Sequence, residues 1–109
     1  MDPVEAFATL DLRVGRVTRV ELNEKARKPA YKLWVDFGLL GVKTSSARIT
    51  TRYSPAELMG RQVVAAINLG TRNIAGFTSE VLVLGLPDAD GQVILLMPER
   101  DVPLGGRVY

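Results

Sequence analysis

The most regular signal in the chain lies at residues 31–37, where Tyr31, Leu33, Val35 and Phe37 alternate with Lys32, Trp34 and Asp36. A period of two predicts a strand with the first set facing a core and the second facing away. Upstream, residues 10–22 are less regular. Leu10, Leu12 and Val14 share one parity, Val17 takes the other, and Val20 and Leu22 return to the first. No straight strand does this. Gly15 stands at the first switch, which predicts a long strand that bulges or bends there and serves two edges of a barrel. A helix would also fit Leu10, Val14 and Val17, but the glycine and the β-branched residues weigh against it.

Further strands are predicted at residues 42–49, 63–69, 79–86 and 92–97, with turn chemistry at residues 38–41 and at Pro87-Asp88-Ala89-Asp90-Gly91. Two short helices punctuate them. Asp2-Pro3-Val4-Glu5 forms a capping box with proline in the first turn, with Phe7 and Leu10 expected as that helix's apolar contacts. Ser54-Pro55-Ala56-Glu57 forms a second box, with Tyr53 and Leu58 as a hydrophobic staple and Gly60 closing the turn. A bent strand, two strands, a short helix and two or three more strands give an expected all-β fold. We expect a five-stranded Greek-key OB-fold barrel with short helices and extra terminal strands, a single domain over residues 1–109. A small sandwich is the structural alternative.

Composition narrows the chemistry. The chain has no cysteine and no histidine, which removes disulfides, thiolate nucleophiles, the commonest metal ligand and the side chain best suited to proton transfer near neutral pH. Ser45 and Ser46 have no base beside them in sequence, and Glu57 and Glu80 are isolated carboxylates. Asp88-Ala89-Asp90-Gly91 lacks the downstream glutamate of a calcium loop. The expectation is a binding protein, not an enzyme, with no cofactor and no metal. No apolar run approaches membrane-spanning length, and the first five residues are acidic where a secretory signal begins basic. We therefore expect a cytoplasmic protein without membrane insertion, acting before the membrane if it serves export. At this size an apolar seam is readily recruited for self-association, so an oligomer is expected.

The net charge of +2 is unevenly spread: residues 1–52 carry an excess of four positive charges and residues 53–109 an excess of two negative ones. Lys25, Arg27, Lys28 and Lys32 cluster in and beside the first interstrand loop, which commonly lines the ligand groove of an OB fold; with Arg48 and Arg72 they are candidates for phosphate or carboxylate contacts. A solvated charged loop is the plain alternative. Trp34, the sole tryptophan, falls on the polar face of its strand and needs a partner, whether a base, a peptide side chain, a second subunit or neighbouring residues of its own fold. The stretch from Asn68 to Glu80 reads as a long binding loop at the barrel mouth, or else as an ordinary long connection whose apolar residues close the barrel end. It offers Asn68, Arg72, Asn73 and Ser79 as polar groups and Ile74 and Phe77 as apolar ones.

Several blocks carry a family resemblance. Leu10-Asp11-Leu12-Arg13-Val14-Gly15-Arg16-Val17 and residues 58–69 resemble the first and fourth strands of the tRNA-binding domain found in structure-specific tRNA-binding proteins and synthetase appendages. Ala26-Arg27-Lys28-Pro29-Ala30-Tyr31-Lys32-Leu33, residues 43–50 and residues 74–85 resemble the CsaA-type secretion chaperones of that superfamily. The resemblance spans nearly the whole chain. It implies a homodimer joined through short terminal segments that binds preproteins or unfolded peptides, with tRNA as the alternative partner. The tRNA-binding relatives carry a Pro-Arg-Lys-Met-like loop followed by Ser-Gln. Here Arg72 and Ser79 match, Asn73-Ile74 and Glu80 depart, and Glu80 is expected to repel phosphate.

Overall fold

The computed structural model describes all 109 residues. Helix α1 (Pro3–Thr9) precedes strands β1 (Leu12–Leu22), β2 (Tyr31–Asp36) and β3 (Val42–Ala47); helix α2 (Pro55–Leu58) then leads to β4 (Gln62–Ala66). Five short strands follow: β5 (Arg72–Ile74), β6 (Phe77–Ser79), β7 (Leu82–Val83), β8 (Gly85–Pro87) and β9 (Val93–Leu95). The main sheet is antiparallel with order β3-β2-β1-β4-β7, and β5-β6 and β8-β9 are separate hairpins. Its two edges are brought together where the Glu80 and Val81 N–H groups both donate to the Thr44 carbonyl, leaving a nearly closed five-stranded barrel, the expected OB fold.

Strand β1 serves two edges, as its parity switches require. Residues from Leu12 to Arg16 pair with β4 and those from Arg16 to Leu22 pair with β2, so Arg16 marks the corner. The irregularity lies between Val17 and Arg19, not at Gly15 as the parity had suggested. Gly15 is glycine because β1 passes against the core. A Cβ there would lie 2.5 Å from Val35 Cγ1 and 2.8 Å from Phe37 Cε1.

The alternation over β2 holds: Tyr31, Leu33, Val35 and Phe37 are buried, and Lys32, Trp34 and Asp36 are half-buried on the outside. Leu33, Phe37, Leu58 and Val63 are fully enclosed in the barrel core, each burial contributing about 1.5–3 kcal/mol. The α2 capping box forms in full, and its staple residues Tyr53 and Leu58 are both buried. At α1 only the Asp2 half forms, accepting from the Glu5 N–H at 2.9 Å. That helix buries no residue and Phe7 is exposed, contrary to its expected apolar role. Polar ties hold α1 instead: Asn68 donates to the Thr9 carbonyl and accepts from the Asp11 N–H, and Arg107 donates to the Ala8 carbonyl.

Beyond β9 the chain returns as a strap along β1, with the Gly105 N–H donating to the Val14 carbonyl and the Val108 N–H to the Leu12 carbonyl. Buried Gln62 clasps it, donating to the Val102 carbonyl at 2.7 Å and accepting from the Val102 N–H at 3.0 Å.

Two features yield expected outcomes. In the β5-β6 hairpin both turn residues have positive φ, 49° at Ala75 and 83° at Gly76, as a type I′ turn demands. Alanine is strained there, so Ala75→Asn is expected to raise the unfolding free energy by about 0.5–1 kcal/mol, measured by urea titration. Arg52 bridges to the β8-β9 turn, donating to Asp88 Oδ2 at 2.7 Å and Asp90 Oδ2 at 3.0 Å. The Arg52 hydrogen bond, aided by the Gln92 and Asp90 N–H groups, holds the Asp88 carboxyl below the usual carboxylate range. A depressed folded-state pKa gives stability that is present above the unfolded value, about 3.9, and is lost as pH falls through the folded value. Asp88→Asn should therefore unfold at lower urea than the parent at pH 7, and the two midpoints should converge at acidic pH below the carboxylate range.

Candidate binding groove

Both separate hairpins and the barrel end line a groove of about 970 Å³. Ile49, just beyond β3, Val81 and Leu95 are buried at its base, and Leu69, Leu82 and Val93 extend the aliphatic surface upward. Arg27 and Lys28 reach it from the β1-β2 loop, Arg48 from the end of β3, and Arg72 from β5. All four cations are exposed and none is paired with a carboxylate. No acidic and no aromatic side chain lines the groove. The cations at Arg13, Arg16, Arg19, Arg52, Arg100 and Arg107, by contrast, all have acidic partners. The positive field at the groove is thus uncompensated, and low-dielectric aliphatic walls focus it.

Six sequence-predicted residues meet in this groove: Arg27, Lys28, Arg48, Arg72, Ile74 and Ser79. Arg72 and Ile74 share a face because they are two apart on β5, and Ser79 pairs opposite Arg72. The other six lie elsewhere. Lys25 and Lys32 line a smaller hollow of about 360 Å³ together with Glu24 and with Glu21, which is paired with Arg19. Asn68 is the tie to α1, and Asn73 Oδ1 accepts the Gly76 N–H within the hairpin turn.

Trp34 and Phe77 meet on the outer wall of the barrel, edge to face with ring centroids 5.5 Å apart. The Arg19 guanidinium lies over Trp34 at 4.4 Å and the Lys32 ammonium over Phe77 at 5.6 Å. Trp34 therefore finds its partner within its own fold, and the cluster fastens the hairpin to the barrel. Two further bonds help: Thr44 Oγ1 donates to the Thr78 carbonyl at 2.6 Å, and Asn23 Nδ2 to the Ile74 carbonyl at 3.2 Å. Glu80 is occupied as well. Its carboxylate accepts from the Thr44 N–H at 3.0 Å, and it does not line the groove.

Sequence reasoning missed the aliphatic floor. Leu82, Val83, Val93 and Leu95 fall within runs that read as strands, and nothing local marks which strand ends open at the barrel mouth.

Comparison with known proteins places this geometry. The sequence model of the family described as "Putative tRNA binding domain" matches residues 12–107. The solved structure of the chaperone CsaA from Bacillus anthracis strain Ames is 51% identical, covers 100% of this chain and 99% of its own, and superposes with a TM-score of 0.91. The chain belongs to the CsaA branch of the tRNA-binding-domain family. The CsaA chaperone protein from Picrophilus torridus is 42% identical with full coverage of both chains and the same TM-score of 0.91. Among curated relatives, the methionine–tRNA ligase of Porphyromonas gingivalis strain W83 is 39% identical over 104 residues, 95% of this chain. The chain spans only 15% of that ligase's length.

Proposed function

We propose that the groove holds extended segments of unfolded polypeptides, preproteins among them, and that the protein works as an export-related chaperone in the cytoplasm, gripping its clients without catalysis. The observation that carries this reading is the aliphatic, aromatic-free floor. Leu69, Leu82 and Val93 offer contact to apolar side chains, and the rim cations favour acidic or polar flanking residues. The solved CsaA chaperones, similar over the full chain, support it. A homodimer fits the same reading, because α1 exposes Val4 and Phe7 about one turn apart, with Met1 exposed just ahead of it, an apolar surface that buries nothing in the monomer.

A second reading, tRNA binding, is favoured by the four cations that lack carboxylate partners and by the family match. Titrating a labelled, reduced and alkylated polypeptide and a labelled tRNA at two salt concentrations separates the two. Saturable polypeptide binding with a shallow salt dependence supports the chaperone reading. Its absence at low salt, beside tight tRNA binding with a steep salt slope, replaces that reading with the second.

A further inference from the structure

We infer that a phosphodiester polymer and an unfolded polypeptide exclude each other from this groove, so that bound RNA shuts the chaperone site. This rests on the reading that the groove holds polypeptide. Eight of the fourteen Lys and Arg side chains have no carboxylate partner. Lys25 and Lys32 stand beside Glu21 and Glu24, and Arg61 lies over the Tyr53 ring and donates to the Met97 sulfur. Lys43, on β3, lines neither the groove nor the smaller hollow. The remaining four are Arg27, Lys28, Arg48 and Arg72, which makes the groove rim the largest gathering of free cations, with no carboxylate among its lining residues.

The alternative nucleic-acid surface is occupied. OB barrels offer the outer face of their second and third strands to oligonucleotides, with aromatic side chains as stacking platforms. Here the β5-β6 hairpin lies on that face. Phe77 packs edge to face with Trp34, Arg19 covers a face of the tryptophan ring, and Thr44 and Ser46 are hydrogen-bonded to the hairpin. A polyanion is thereby directed to the rim, where it roofs the aliphatic floor. A polypeptide seated on that floor brings its backbone up to the same side chains. At about 970 Å³ the groove has room for one short stretch of polymer, not for a polypeptide and a polynucleotide side by side. Exclusion is reciprocal by linkage, so polypeptide must weaken RNA binding by the factor that RNA weakens polypeptide binding.

The test uses the full chain at about 50 mM salt, where phosphate contacts are strong. Fluorescence anisotropy follows a labelled, reduced and alkylated polypeptide as poly(U) is added, while a separate titration measures poly(U) binding directly. The zero-RNA arm tests the chaperone reading alone: no polypeptide binding there removes that reading. Given binding, the expected result is complete displacement, with the apparent polypeptide dissociation constant raised about elevenfold at a poly(U) concentration ten times its own dissociation constant. Arg48→Gln with Arg72→Gln should move direct binding and displacement to higher poly(U) in parallel. A ternary complex, a partial plateau, displacement indifferent to those substitutions, or polypeptide binding with no poly(U) binding each overturns the inference.

Discussion

Gly15→Ala is expected to lower the unfolding free energy by about 3 kcal/mol, the upper end of the usual overpacking penalty. The reason is space. The new methyl carbon would lie 2.5 Å from Val35 Cγ1 and 2.8 Å from Phe37 Cε1, and both of those side chains are fully buried. Neither is the free end of a flexible chain that swings aside. The remaining escape is for β1 to move outward, which strains its pairing with both β2 and β4 at the Arg16 corner. For a domain of this size the loss corresponds to a melting temperature lower by about 10–20 °C, measurable by circular dichroism. A drop of only a degree or two would show that β1 does not pass so closely over the core.

Arg48→Glu combined with Arg72→Glu is the second large effect. The two reversals take the rim from four positive charges to an equal number of each sign. Binding of poly(U) at about 50 mM salt is expected to weaken at least about 100-fold, because two attractive phosphate contacts become repulsive. Stability should change by no more than about 0.5 kcal/mol, since both side chains are exposed and neither has an acidic partner to lose. Affinity measured beside a urea titration keeps the two effects apart. Binding retained within threefold would place the polyanion somewhere other than this rim.

Much of the barrel could be read from residue parity. The alternation over residues 31–37 identified the inward side chains of β2, and the switches between Leu10 and Leu22 required a strand shared between two edges. The location of the distortion could not be read, because Gly15 serves close packing while the register shift falls beyond Val17. The run from residue 79 to 86 promised one strand. It breaks because the Glu80 and Val81 N–H groups turn to Thr44 to close the barrel, a contact 36 residues away in sequence for Glu80. The C-terminal strap escaped notice for a similar reason: the short sequence around Val102 has no strand period, and its order comes from Gln62 and β1.

The candidate site was legible by charge and not by shape. Loop cations at Arg27 and Lys28 and the arginine at position 72 stand out in sequence, and the fold brings them together with Arg48. Trp34 and Phe77 stood out equally, yet they satisfy each other on the outer wall. What separates the two sets is whether a partner exists within the chain, and only the tertiary arrangement reveals that.

The most direct measurement is an amide-resolved NMR titration of the isotopically labelled full chain with an unlabelled, reduced and alkylated polypeptide. Shift changes should concentrate at residues 47–49, 69–74 and 81–83, around the aliphatic floor and its charged rim. Changes centred on Arg19, Lys32 and Trp34 with the groove amides unmoved would contradict the assignment of the groove as the place where this protein takes hold of its ligands.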